Sequence, residues 1–180
     1  MNIYPITLGL ALLAAGCNQQ VTTPTSTTVG MEIDDTVLTT KVKTALLDDQ
    51  EFKGLDIKVE TRKGVVLLSG FVDNQSRAER AVAVTRKIEG VRSVDNAMTI
   101  KDGKISVGNK VDDSIITTRV KSALLSDPTI KSFDIAVATS KGEVQLSGFV
   151  DNQAQIDHAI SITRAVEGVQ GLLNEMSIKK

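Results

Sequence analysis

Apolar positions recur along this chain first at helical and then at strand spacing, and the same succession occurs twice. Val37, Leu38, Val42, Ala45 and Leu46 fall on one helical face, and Ile115, Ile116, Val120, Ala123 and Leu124 repeat it. Asp34-Asp35 and Asp112-Asp113 stand just before these runs, where they are expected to cap the helix and favour its dipole. The helix is expected to end near Asp48 or Ser126, with Pro128 supporting the stop. Leu55, Ile57 and Val59, matched by Phe133, Ile135 and Val137, then alternate with other residues as half-buried strands do. Lys63-Gly64 and Lys141-Gly142 predict a tight turn in which glycine tolerates positive φ. In the strand that follows, Val66, Leu68, Gly70 and Val72 share one side. Asp73 and Asn74 offer a cap to a second helix over residues 75–89. Its apolar face carries Ala78, Ala81, Val82, Thr85 and Ile88, or Ile156, Ala159, Ile160, Thr163 and Val166. Gly90 and Gly168 are expected to close it as C′ residues. A last strand holds Val94, Met98 and Ile100, or Leu172, Met176 and Ile178. Asn96 and Asn174 share its inward parity, which predicts a buried amide bonded to a nearby loop backbone.

Residues 63–75 return almost unchanged as 141–153, and an offset of 78 lays 34–101 on 112–179 without a gap. Such self-similarity is the mark of a repeated unit. The order helix, strand, strand, helix, strand predicts an α+β fold: two tandem αββαβ domains, each a three-stranded mixed sheet with two helices on one face. Domain 1 is expected over 34–101 and domain 2 over 112–180, joined by a linker, 102–111, loosened by Gly103 and Gly108.

Ahead of the domains, Ile6 to Ala15 form an apolar run far shorter than the roughly 20 residues that span a bilayer. Small residues then lead to Cys17, the chain's one cysteine, as they do at a secretory cleavage site. Leu13-Ala14-Ala15-Gly16-Cys17 resembles a bacterial lipobox, which implies a signal peptide over 1–17 and a lipidated Cys17 as the mature N-terminus. Ala14 stands where a larger aliphatic is usual, and residues 1–5 carry no Lys or Arg. An ordinary signal peptide with a chance cysteine is the alternative. Asn18, not Asp, follows the cysteine, which resembles the outer-membrane sorting pattern. Residues 18–33 are Thr-rich and are expected to be a flexible tether.

Composition narrows the function. One cysteine excludes an intrachain disulfide, so packing must hold each small domain together. A net charge of −1, scarce aromatics and no Trp argue against nucleic acid as a partner. His158, the chain's one histidine, has no cysteine or carboxylate cluster beside it and is expected to be an ordinary surface residue, so no metal or other cofactor is expected. The recurring acids Asp56/Asp134, Asp73/Asp151 and Glu89/Glu167 sit on a strand's solvent side, at a helix start and at a helix end. They do not converge as acid–base catalysis requires. No catalytic residue is assigned. The glycines are expected to serve a turn, a close strand–helix contact and a helix end.

Val42…Ala45-Leu46, Ile57-Lys58-Val59, the glycine pair Gly64 and Gly70, Glu89-Gly90-Val91 and the run from Val94 to Ile100 resemble the BON domain. Val120…Ala123-Leu124, Ile135 to Val137, Gly142 and Gly148, Glu167-Gly168-Val169 and Leu172 to Ile178 repeat the resemblance. A signal peptide followed by two such domains resembles the OsmY/DolP group of envelope proteins, lipoprotein branch. The resemblance implies a non-enzymatic module that binds anionic phospholipid and supports outer-membrane integrity or osmotic-stress tolerance. It also implies a lipid anchor on the periplasmic face of the outer membrane, with a soluble periplasmic protein as the alternative.

Two surfaces are candidates for the work. On the first helix of domain 2, Thr117, Thr118, Lys121, Ser122 and Leu125 point away from the core with Arg119 at the border. A cation beside an exposed leucine suits an anionic lipid surface, so Thr118, Arg119, Lys121, Ser122 and Leu125 are the lipid-binding candidates. Thr39, Thr40, Lys43, Thr44 and Leu47 are their counterparts in domain 1. On the first sheet, parity puts Val65, Leu67 and Phe71 opposite the helices, and Glu143, Gln145 and Phe149 are their counterparts. So apolar a face is expected to meet either the other domain or a protein partner, the latter supporting an interaction or chaperone-like module.

Overall fold

A computed structural model describes residues 27–101, 107–130 and 134–179. The signal stretch, Cys17 and Phe133 lie outside the described residues.

The first copy runs α1 (Thr27–Asp48), β1 (Ile57–Arg62), β2 (Val65–Val72), α2 (Gln75–Arg86) and β3 (Ser93–Ile100). The second runs α3 (Val107–Ser126), β4 (Ile135–Ser140), β5 (Glu143–Val150), α4 (Gln153–Arg164) and β6 (Gly171–Ile178). Each sheet has the long second strand at its centre. β1 pairs with β2 and β4 with β5 antiparallel, while β2 pairs with β3 and β5 with β6 parallel. The parallel pairing follows from the helix crossover between those strands.

The helices cover one face of each sheet. Leu38, Val42 and Leu46 of α1 pack on Val59, Val66, Leu68 and Ala81. Ile116, Val120 and Leu124 of α3 pack on Val137, Val144, Leu146 and Ala159 in the same way. Their four-residue spacing leaves Val37 and Ile115 turned outward, 48% and 45% exposed, against the expectation that they join the core.

α1 and α3 begin earlier than expected. With no proline between Pro24 and Pro128, nothing stops the helix from running back into 27–33 or into 107–111. Asp34, Asp35, Asp112 and Asp113 therefore lie inside helices and cap nothing. Asp35 instead accepts from both N–H groups of the first hairpin turn, Lys63 N at 2.5 Å and Gly64 N at 2.9 Å. Asp113 does the same at Lys141 N and Gly142 N, both at 2.8 Å. Both turn residues have positive φ, 50° and 77° in the first copy and 51° and 77° in the second. That is the two-residue hairpin form whose twist matches the strands. The turn carbonyl is also held, Gly64 O by Arg92 N and Gly142 O by Gln170 N at 2.8 Å each.

Asn74 and Asn152 cap α2 and α4, accepting from Arg77 N and Gln155 N. These helices stop at Arg86 and Arg164, short of the expected 89 and its counterpart 167. A further turn separates them from Gly90 and Gly168, which reverse the chain at φ 100° and 97°. Gly70 and Gly148 serve a different contact from the one expected. Each lies against the backbone carbonyl entering the neighbouring strand, Asp56 or Asp134, where a Cβ would collide with it. Asn96 and Asn174 are exposed, not buried. Each folds along its own strand to accept from the N–H two residues on, Met98 or Met176, at 3.1 Å. β3 and β6 are edge strands, and an amide on the solvent side of an edge needs no core partner.

The sheets meet on the faces that carry no helix. Ser69 and Ser147 occupy the same position of the two copies, and their hydroxyls meet at 2.6 Å. A local twofold axis therefore passes between them, as in an isologous dimer. Leu67 and Phe71 are 5% and 8% exposed on this seam. Gln145, 1% exposed, spans it: its carbonyl accepts from Gly70 N, and its amide donates to Ala97 O at 2.8 Å and Thr99 Oγ1 at 3.1 Å. Lys101 crosses beside it to Ser140 O at 2.6 Å and Glu143 Oε2 at 2.8 Å, with its Nζ 5.2 Å from the centre of the Phe71 ring.

Gln145→Ala strands Gly70 N and Ala97 O in the seam and is expected to cost about 2–3 kcal/mol in urea unfolding. Asp113→Ala leaves both turn amides of domain 2 without their acceptor, at an expected cost of about 2 kcal/mol by the same measurement. A loss below about 0.5 kcal/mol in either variant contradicts its role.

Candidate functional site

The lipid-facing candidates of α3 form a solvent-exposed strip. Thr118, Arg119, Lys121 and Ser122 are exposed, and Leu125 is 56% exposed. Thr118 bonds the Ser114 carbonyl at 2.9 Å, and Ser126 bonds the Ser122 carbonyl at 2.8 Å, so the hydroxyls lie along the helix surface. Arg119 is committed to Glu167, 3.3 Å away in an exposed ion pair, and an exposed pair of this kind contributes little to stability. Lys121 makes no ion pair among the described residues and carries the strip's free charge. Thr117, expected on the same side, is drawn inward to Thr139 Oγ1 at 2.7 Å, as Thr39 is to Thr61 at 2.8 Å. The α1 counterpart of the strip keeps Thr40, Lys43 and Thr44 exposed, with Leu47 82% exposed.

The other candidate face has a different setting. Leu67 and Phe71 are enclosed in the seam between the domains, and Val65 is half-buried beside them. A protein partner reaching these residues has to displace the second domain. Their counterparts Gln145 and Glu143 are the residues that bind across the seam, so the expectation that one sheet face is apolar and the other polar describes two halves of one contact.

His158 is exposed, and its Nε2 lies 2.8 Å from Asp127 Oδ2. The first copy places Arg80 on Asp49 at 2.9 Å in the same position. Hydrogen bonds from the Thr129 hydroxyl and N–H, and then His158, hold the Asp127 carboxyl down to about 2 from its ordinary 3.8. In the first copy, Arg80 chiefly, then Glu51 N, lowers Asp49 likewise. These pairs staple the loop after the first helix to the second helix. Among the described residues no group of three His, Cys, Asp or Glu is placed to hold a metal ion. No helix of the described residues is long and apolar enough to cross a membrane.

Sequence reasoning missed the turn-binding role of Asp35 and Asp113, and the bridges made by Gln145 and Lys101. The signal for the first was a second acid, one residue past the expected cap, in both copies. For Gln145 it was a glutamine where the repeat has leucine.

Two αββαβ units joined back to back define a tandem α+β module. The BON domain matches residues 34–102 and 112–180, and the chain belongs to the BON-domain family. It is 45% identical over 152 residues to osmotically-inducible protein Y of Escherichia coli K12, covering 84% of this chain and 76% of that one. It is 35% identical over 147 residues to the outer membrane lipoprotein DolP of Haemophilus influenzae, covering 81% and 75%. It is 36% identical over 145 residues to a 21 kDa hemolysin of Actinobacillus pleuropneumoniae, covering 80% and 74%.

A carboxyl whose folded value is depressed adds stability above its unfolded value and loses it as pH falls through the folded one. The stability difference between wild type and Asp127→Asn is therefore expected to be complete above about pH 4 and to vanish as pH falls towards 2. Urea unfolding across that range measures it. A difference independent of pH contradicts the contact.

Proposed function

We propose that this chain is a non-enzymatic envelope lipoprotein, anchored through lipid on Cys17 to the periplasmic face of the outer membrane. Its second domain lays the α3 strip on anionic phospholipid, and the protein thereby supports outer-membrane integrity or osmotic-stress tolerance. The observation that carries this reading is the pairing of Leu125, 56% exposed, with Lys121 on one open helix face. Kinship to a protein named as an outer membrane lipoprotein and to one named as osmotically inducible supports the compartment and the setting.

The magnitudes explain why an anchor matters. One lysine near an anionic surface contributes about 1 kcal/mol, and burying one leucine about 2 kcal/mol. Their sum, about 3 kcal/mol, corresponds to binding weaker than millimolar. A tether that holds the domains near the membrane makes such a contact sufficient by raising its effective concentration. Two or more acyl chains on Cys17 provide a lasting hold, where one chain binds marginally.

Protein lacking residues 1–17 is expected to co-sediment with phosphatidylglycerol or cardiolipin vesicles at high lipid concentration, and less so as salt rises. Lys121→Glu and Leu125→Glu are each expected to weaken this by about fivefold or more. Equal binding to phosphatidylcholine vesicles, or no loss in either variant, overturns the lipid assignment. Mass spectrometry of the mature N-terminus tests the anchor: an acyl-free chain refutes it.

A further inference from the structure

β1 is an edge strand, with β2 as its one strand partner among the described residues. Its flanking turn makes Arg62 and Val65 a hydrogen-bonded pair, so Lys58, Glu60 and Arg62 spend their backbone groups on β2. Ile57, Val59 and Thr61 then turn their N–H and C=O groups outward.

Two cavities run along that free side. One of about 720 Å³ touches Glu60, Thr61 and Arg62. The other, of about 260 Å³, touches Ile57, Lys58, Val59 and Glu60. Successive strand residues point to opposite faces of a sheet. A groove that meets all six in turn therefore follows the edge. Helix α1 forms one wall through Thr40, Lys43 and Leu47, and domain 2 forms the other through Phe149 and Lys179.

The twofold-related cleft beside β4 is bridged. Lys101 reaches across it to Ser140 while sitting over Phe71, and both line that smaller space of about 410 Å³. Lys179, the counterpart of Lys101, stays in its own domain on Asp134 and Asp151. Val65 stands where Glu143 receives Lys101, so Lys179 has no carboxylate to cross to.

The charges along the groove are not equally satisfied. Lys58 is paired with Asp56 and Lys179 with Asp134. Burial chiefly pushes the Glu60 carboxyl above its ordinary value, with Lys43 and Lys58 opposing the shift and Asp134 adding to it. Arg62 is left over: it is half-buried, and its Nε is shielded from solvent with no hydrogen-bond partner among the described residues. A shielded guanidinium N–H without an acceptor is costly, and a planar carboxylate is its natural complement. At the other end Leu46, Phe52 and Leu55 line an apolar pocket under Leu47.

We propose that this groove receives an extended peptide, which adds to β1 as a fourth strand with an acidic side chain against Arg62 and a bulky apolar one in the Leu46–Phe52 pocket. Main-chain bonds to Ile57, Val59 and Thr61 supply affinity, and the two side-chain sites supply register. The site is separate from the α3 strip and stands whether or not the chain binds lipid.

The probes are two capped synthetic peptides, Glu-Thr-Thr-Val-Thr-Leu and its reverse, added to the full chain. Amide hydrogen exchange by NMR is the readout. One peptide is expected to slow exchange at Ile57, Val59 and Thr61 by about tenfold or more at saturation. Methylating the peptide's central N–H groups is expected to abolish this. Replacing the peptide's Glu by Lys is expected to weaken binding about tenfold, and Arg62→Glu to reverse that preference. If neither peptide protects these three amides, or the methylated peptide binds as well, no strand is added here. Unchanged affinity on swapping the peptide's charge removes Arg62 from the site, and that test holds even if Arg62→Glu does not fold.

Discussion

Each sheet has one face left uncovered by its own helices, and the fold depends on how that face is hidden. A domain of about 70 residues builds a core near the lower limit of what can stand alone. Here β2 and β5 are buried on both sides, by helices on one and by the sister sheet on the other. Leu67 and Phe71 are spent in this way, and so are Ser69, Ser147 and Gln145. The seam makes one body of two modules that the repeat alone presents as separate.

The two copies contribute unequally to that seam. Two identical copies would carry leucine and valine at both positions. The second copy instead has Gln145 at the place of Leu67, and Glu143 at that of Val65. The glutamine satisfies a backbone amide and a carbonyl from the first copy at once, which a second leucine cannot do. The glutamate draws Lys101 across, while Lys179 remains at home. These two differences between the repeats fall where the domains touch, and Lys101 bridges one interdomain cleft while Lys179 leaves its counterpart unbridged.

Outside the seam the molecule presents surfaces of two kinds. The α3 strip is an exposed helix face whose Lys121 makes no ion pair among the described residues and whose Leu125 is exposed. The groove along β1 is concave, has a strand edge at its base and holds a guanidinium whose Nε lacks an acceptor among the described residues. The first is the proposed contact with an anionic layer, and the second the proposed seat of an extended chain. They are built from different elements, although domain 2 supplies one wall of the groove.

The order αββαβ, its duplication, the helix-facing side of each sheet and a helix cap at Asp73-Asn74 were legible in the sequence, and Asn74 is the one that caps. They rest on local periodicity and on side chains that bond within three or four residues. The family was legible for the same reason, because its motifs are the turns and core positions that every copy needs. Tertiary structure alone decided the role of Asp35 and Asp113, since a carboxylate beside a helix start looks like a cap until the distant turn it binds is in place. It also decided that Asn96 and Asn174 lie on open edges, because strand parity marks a face but not whether a neighbour covers it. The partner of Leu67 and Phe71 was settled the same way: an apolar stripe records that something must cover it, and only the docking of one sheet on the other identifies what does.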